Sequence, residues 1–452
     1  MIVMKFGGSS LKDSESIRNV AQIIKPKLSL QPVIVASALG KTTRNLLNSS
    51  LAASMQNQTD SQNIYETVKV YHFNIAEELG LLKTNVQFKK DLSAYFSEIE
   101  SNLQKIQSDK NLSPKLQDAT LSYGELLSTL ILSAYLEVIG INTKLLDARD
   151  CIITDEHFTH STPLESESFG KIERYLRPVI NEDKVAIIQG FIGSTQSGDT
   201  TTLGFEGSDF SAVLIGVALK ADEVQIWKDV PGVMSADPAK IPKAIPVENM
   251  TYAEAAELSR CGAQVLHPST IRPASDLNIP VKIFNSRQPD FRGTTIDNQM
   301  TEMSNSIKSV TCRKNLIILQ ISAKQSLSEF DFSAQVFVIL RDLEISPEII
   351  EGSDKKIILI LNKSEFKEEF INQITQWADV DIEESKATIS LIGHMIRTKQ
   401  SVLNKIQKYK ISQSMQFDVD KTSEHSYTIL LNESDIDRTL KKMHYDLFET
   451  MT

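Results

Sequence analysis

The chain has 452 residues, 41% apolar and 23% charged, with a formal net charge of −10. That is an ordinary globular composition with length for about three domains, and its acidic excess speaks against nucleic acid or an anionic membrane as the main partner. No apolar stretch approaches the ~20 residues of a membrane span. The first residues begin a strand rather than a signal-peptide layout, and Cys151, Cys261 and Cys312 are too few and too scattered for a disulfide framework or a zinc site. The expectation is a cytoplasmic protein with no metal site of its own.

The chain opens on an apolar run that ends in Lys5, followed by Gly7-Gly-Ser-Ser10 and a helical pattern through Ile17, Val20, Ala21 and Ile24 that Pro26 closes. A short strand delivering a lysine and a glycine turn to a helix start suits phosphate. Glycine lets the backbone approach an anion, and helix-terminal N–H groups point at it. It is not a Walker A loop, because the lysine precedes the glycines. Such turns also occur where no ligand binds, so the weight of this one comes from what recurs downstream.

Pro32 to Ala36 reads as a buried strand, and a polar turn runs from Ser37 to Thr43. Residues 44–139 are almost wholly helical, with the strongest helix over Leu121–Ile139 and Gly140 at its C′ position. Strands are expected at Thr143–Leu146, Val185–Phe191, Val224–Trp227 and Val281–Phe284, with helices between them. That alternation predicts an α/β domain built on a mainly parallel sheet.

The polar stretch Asn298–Ser309 is the expected boundary. Beyond it come a strand over Leu316–Ile321, a helix over Phe332–Leu343, a strand over Lys356–Leu361 and a helix over Glu365–Trp377. A second round follows with Thr388–Leu391, Ser401–Tyr409, Tyr427–Leu431 and Asp435–Phe448. Two small αβ units in tandem point to a duplicated module, and a generic α+β tail accounts for the periodicity equally well.

The densest stretch for chemistry runs from Gln189 to Asp209. A strand ends at Phe191, a Gly- and Thr-rich loop follows, and a helix starts at Ser208-Asp209. In open α/β sheets ligands bind outside the carboxyl ends of strands, where this loop belongs. Read in isolation, Ser208 is also a plain N-cap and Asp209 a first-turn carboxylate favoured by the helix dipole. Later, Trp227-Lys-Asp-Val-Pro-Gly232 ends another strand in a turn, with Asp229 facing the same rim as Lys5.

Eight segments, taken in order, resemble the aspartate kinases, which are amino acid kinases with C-terminal ACT regulatory domains. They are Lys5 to Ser10, Gly124 to Ser128, Gln189 to Gly193, Thr200 to Gly204, Gly207 to Asp209, Trp227 to Gly232, Tyr252 to Leu258 and Gly262 to Pro268. The resemblance implies a three-layer amino acid kinase fold over residues 1–298, followed by ACT-like modules at 310–385 and 386–452. It implies ATP-dependent phosphorylation of the β-carboxylate of L-aspartate, the first step towards lysine, threonine and methionine, with Mg²⁺ carried by ATP.

By the same resemblance Lys5 sits on the transferring phosphate and Asp209 orients it, while Gly7, Gly8 and Ser9 share the phosphate charge. Glu125 holds the substrate ammonium; Ser37, Phe191 and Ser208 line the amino acid pocket; Lys228, Asp229 and Gly232 border the nucleotide. An amino acid effector at the ACT-like modules and at least a homodimer are further implications.

The sequence departs from the family pattern where cations are usual. Phe205-Glu206 stands where the family has an arginine that forks onto a substrate carboxylate. Gln264 replaces a lysine, Ala239 replaces an arginine, and Pro347 to Ser353 lacks the usual serine-rich effector signature. Lys228, at a position usually threonine, is the compensating candidate, its alternative being a solvent-facing strand-end lysine. A regulatory homologue with weakened chemistry, or a kinase for another small amino acid, are the readings that stand beside an active aspartate kinase.

Overall fold

The computed structural model describes residues 1–204, 206–263, 266, 268–299, 307–324, 328–353, 355–398, 400–407, 416–417 and 423–449. Phe205 and Gln264, and most of the expected boundary stretch, lie outside the described residues. Two compact units form: Met1–Val233 with Glu248–Tyr252 and Leu266–Asn298, and Met234–Val247 with Ala253–Val265 and Gln299–Thr452. Among the described residues no helix is long and apolar enough to cross a membrane.

In the first unit an eight-stranded sheet runs in the order Thr143–Leu145, Val185–Gln189, Val33–Ala36, Ile2–Phe6, Glu223–Lys228, Val281–Asn285, Thr294–Asp297 and Asn249–Thr251. All pairings are parallel except that of Val281–Asn285 with Thr294–Asp297. The central strands are buried along their length and read as continuous apolar runs, as parallel strands covered on both faces do. Lys5 is the exception in the first of them, a cation 6% exposed within Ile-Val-Met-Lys-Phe.

Helix Ser14–Ile24 is capped by Asp13, whose carboxylate accepts from the Ser16 N–H, and it buries Ile17, Val20, Ala21 and Ile24 on one stripe. The expected helix over Leu121–Ile139 forms as Tyr123–Val138, and Leu121 ends a separate preceding helix, Pro114–Leu121. At Ser122 the carbonyl accepts from both Glu125 and Leu126, which tightens the backbone and turns the chain. Gly140 adopts the left-handed conformation (φ 84°) after the second helix. The loop expected after Phe191 is also corrected. Ile192–Thr195 and Thr200–Thr202 pair as an antiparallel hairpin beside Ile153–Thr154.

The second unit carries a six-stranded sheet in the order Ile349–Ser353, Lys356–Asn362, Ser309–Ala323, Ala378–Ile392, Ser426–Asn432 and Gln416–Phe417. Its two central strands are each 15 residues long and pair antiparallel, with register shifts between Arg313 and Ile318. One core contains Ile317, Leu319, Phe332, Val336, Leu359, Phe370 and Ala378. A second contains Val310, Ala387, Ile389, Leu391, Ile429, Leu431, Ile436 and Leu440. The two ends of strand Ser309–Ala323 therefore serve different cores, so the two ACT-like units interlock through shared strands. Strand Ile349–Ser353 occupies the segment read above only for its missing effector signature.

Candidate active site

Strands Ile2–Phe6 and Glu223–Lys228 are parallel neighbours, with Lys5 opposite Ile226 and Phe6 opposite Trp227. Lys5 and Lys228 thus rise at adjacent carboxyl ends, where such sheets bind ligands. Helix Gly207–Leu219 begins above them and brings Asp209 in its first turn. Lys5 Nζ lies 2.5 Å from Asp209 Oδ1, and Lys228 Nζ lies 2.9 Å from Asp209 Oδ2. Burial opposes the charge on Asp209, yet the two ammonium groups outweigh it and hold its pKa below the ordinary carboxylate value. Burial likewise opposes the charge on Lys228, and Asp209 with Glu206 more than restores it, raising its pKa.

The start of that helix is fixed by close backbone packing. A Cβ on Gly190 would stand 2.6 Å from Ser208 Cβ, so only glycine lets the strand end and the helix start meet. Ser211 Oγ accepts from the Phe191 N–H at 3.0 Å, while Phe191 itself is held at φ 68°. Asp118 accepts from the Thr159 and Thr202 N–H groups and the Thr202 hydroxyl, which ties the hairpin to the helical layer. Nothing in local pattern marked Asp118 for this task.

Lys5, Ser37, Thr43, Glu125, Phe191, Gly204, Glu206, Gly207, Ser208, Asp209 and Lys228 line one open cleft of about 660 Å³, part of it solvent. Of the residues expected at the site, Lys5, Ser37, Glu125, Phe191, Ser208, Asp209 and Lys228 come together here. Gly7, Gly8, Ser9, Asp229 and Gly232 stand outside this lining. The Gly7 N–H donates to the Trp227 carbonyl at 3.2 Å, and glycine is required at Gly8, whose Cβ would meet the Ala38 carbonyl at 2.8 Å. Asp229 is 41% exposed and faces Arg287 at 3.6 Å, and Gly232 sits at φ 111° against Thr294.

Glu125 is fully enclosed on helix Tyr123–Val138. Its Oε1 accepts from the Ala38 N–H at 3.2 Å and from the Thr43 hydroxyl at 3.4 Å, while Oε2 has no hydrogen-bond partner among the described residues. Burial pushes its carboxyl up to about 8 despite those bonds. Thr43 and Glu206 were not read as site residues from sequence, and neither were Gly204 and Gly207. The polar turn after strand Val33–Ala36 was the signal for Thr43. The signal for Glu206 was an acidic residue directly before Gly207.

Arranged this way, the site presents two fixed cations around one carboxylate, with a buried protonatable acid and hydroxyls lining the same cleft. That set suits transfer between two anionic ligands, one of which carries an ammonium. No phosphate-loop lysine of the Walker type contributes.

Residues 1–285 match the amino acid kinase family. The chain is 33% identical to the chloroplastic aspartokinase 1 of Arabidopsis thaliana, over 99% of this chain and 80% of that protein. It is 29% identical to the lysine-sensitive aspartokinase 3 of Escherichia coli strain K12, over 99% of both. Among solved structures, E. coli aspartokinase III in complex with aspartate and ADP (R-state) superposes with a TM-score of 0.87 at 28% identity, covering 99% of this chain and 100% of that one. The same enzyme with lysine and aspartate (T-state) gives 0.81 at 28% identity, covering 99% of both.

Proposed function

We propose, for a chain that belongs to the amino acid kinase family and within it to the aspartokinases, that the cleft around Lys5 and Asp209 is where ATP phosphorylates the β-carboxylate of L-aspartate. The single observation that carries the reading is the Lys5–Asp209–Lys228 cluster at adjacent parallel strand ends. A β-carboxylate oxygen attacks the terminal phosphorus of ATP. The new P–O bond forms as the bond to the bridging oxygen breaks, and ADP leaves with that electron pair. No proton needs to move, so the protein's task is positioning and charge.

Lys5 meets the transferred phosphoryl group and Asp209 fixes its direction. Gly8 and Ser9 supply backbone amides at the phosphates, and Gly7 keeps the turn close. Lys228 meets the nucleotide phosphates in place of the cation lost at Gln264, with Asp229 and Gly232 at the nucleotide border. Glu125 takes the α-ammonium, and Ser37, Phe191 and Ser208 complete the amino acid pocket. Asp209 is already engaged by two ammonium groups, which fits a Mg²⁺ held chiefly through the triphosphate. When bound, that ion neutralises charge between the phosphates.

The regions 1–298, 310–385 and 386–452 act as catalytic domain and two ACT-like regulatory modules that take an amino acid effector. The chain works as at least a homodimer in the cytoplasm. The test is purified protein with Mg-ATP, L-aspartate and hydroxylamine. Trapped aspartyl hydroxamate with stoichiometric ADP is the expected result. Hydroxamate with a different amino acid, or with none, overturns the reading.

A further inference from the structure

Glu206 is the cleft residue whose presence local packing does not explain. It precedes helix Gly207–Leu219 with φ 56° and ψ 17°, a left-handed conformation that is strained for a residue with a Cβ. Its side chain makes no capping hydrogen bond to that helix. Its Oε1 lies 3.7 Å from Lys228 Nζ, and its Oε2 is buried with no hydrogen-bond partner among the described residues. A strained backbone and a buried carboxylate oxygen are two costs kept at one position, and such outliers gather at functional sites.

The charge arithmetic of the cluster supplies a reason. Lys5 and Lys228 are two largely buried cations, and Asp209 alone would leave one of them uncompensated. Burial then favours loss of a proton from the more weakly held ammonium. Glu206 makes the set two against two. Among the described residues, the charged groups facing Lys228 include Asp209 and Glu206 from the start of one helix, with Lys5 across Asp209 on the neighbouring strand and Glu125 lining the same cleft.

We propose that Glu206 is a positioning residue for phosphoryl transfer: with Asp209 it holds Lys228 in the cleft as a fixed ammonium that meets the phosphates of the nucleotide. The inference rests on the kinase reading above and names a residue that acts through Lys228 rather than on the substrate. The paired charges also make Glu206 and Lys228 mutually dependent: without Lys228, Glu206 loses its cation, and without Glu206, Lys228 must share Asp209 with Lys5.

The test is the pH profile of kcat/KM for ATP in the wild type, Glu206→Gln, Lys228→Arg and the double variant. Glu206→Gln is expected to bring the basic limb down by about one pH unit, equivalent to about tenfold in the ratio of neutral to charged Lys228 at a given pH. In the Lys228→Arg background, where the charge is permanent, the same substitution is expected to leave the limb in place. Thermal melting of Glu206→Gln, together with its unmoved limb in the Lys228→Arg background, separates a shifted profile from misfolding. An unmoved limb in Glu206→Gln, or an equal shift in the Lys228→Arg background, overturns the proposal. Should the wild type form no hydroxamate, the kinase reading has failed separately. Calorimetric Mg-ADP binding over the same pH range then tests the Glu206–Lys228 relation without turnover.

Discussion

Asp209 divides its two carboxylate oxygens between Lys5 at 2.5 Å and Lys228 at 2.9 Å, so one residue in the first turn of a helix orders cations on two neighbouring strands. Cations held this way need no reorganisation when a phosphoryl group arrives, and such preorganisation is commonly the largest share of catalysis. Lys5→Met and Asp209→Asn are each expected to lower kcat by about 10²-fold or more. Either change also leaves a buried charge without its full complement, a loss on the order of 3–5 kcal/mol in denaturant unfolding. The double variant should regain part of that stability and remain inactive. Activity in the double variant would remove the pair from the mechanism.

If Glu125 takes the substrate ammonium as proposed, ligand binding becomes a proton-release event. Burial lifts its carboxyl to about 8, so in the empty cleft it is protonated at pH 7. An ammonium placed beside it favours the charged form. Aspartate binding at pH 7 is expected to release up to about one proton per site, read as a binding enthalpy that varies with the ionisation enthalpy of the buffer. Glu125→Gln should abolish that dependence. A buffer-independent enthalpy in the wild type would count against Glu125 as the ammonium partner.

The same group sets a stability trend with a definite sign. Between the ordinary carboxyl range and about pH 8 the folded chain holds a proton on Glu125 that the unfolded chain has lost. Stability contributed by this group is therefore full below the unfolded value and falls as pH rises through that window, by about 3–5 kcal/mol at most. Glu125→Gln should flatten the corresponding part of the unfolding curve. A wild-type profile that rises over the window instead would contradict the assignment.

Gly190 sets the distance between the strand end and the helix that carries Ser208 and Asp209. Gly190→Ala forces a Cβ to within 2.6 Å of Ser208 Cβ and 2.8 Å of Ser208 Cα, so backbone must move at a cost of about 1–3 kcal/mol. The Asp209 carboxylate moves with it, and kcat/KM should fall by more than the stability loss alone would bring. Gly170→Ala, where an added Cβ meets nothing within 4 Å, is the matched control and should be neutral or slightly stabilising.

The shared strand of the second unit predicts regional rather than uniform weakening. Val310→Ala should speed amide exchange at Ile389–Leu391 and Ile429–Leu431, the core it joins. Leu319→Ala, nine residues along the same strand, should loosen Leu359–Leu361 and Ile374, at about 2–5 kcal/mol. Hydrogen exchange followed by mass spectrometry reads both, and identical protection changes from the two variants would refute the division.

Much of this protein was legible in its residues. The buried strand runs, the lysine before Gly7-Gly8, the Gly-Ser-Asp at the helix start and the alternation of strands with helices are local patterns, and local periodicity follows directly from side-chain geometry. The ends of elements were less legible. The hairpin Ile192–Thr202 looked like a loop because its Gly and Thr content carries no apolar alternation; it forms because Asp118, some 80 residues away in sequence, takes up its N–H and hydroxyl groups.

Sequence by itself determined which residues carry charge and hydroxyl groups, which strands are buried and which family pattern the chain follows. Tertiary structure alone decided that Lys228 and Glu206 join Lys5 and Asp209, that Glu125 is enclosed deeply enough to stay protonated, and that one strand serves two cores. The physical reason is that ion pairing and desolvation depend on distances between residues remote in the chain. Strand pairing and helix docking set those distances, and periodicity along the sequence does not encode them.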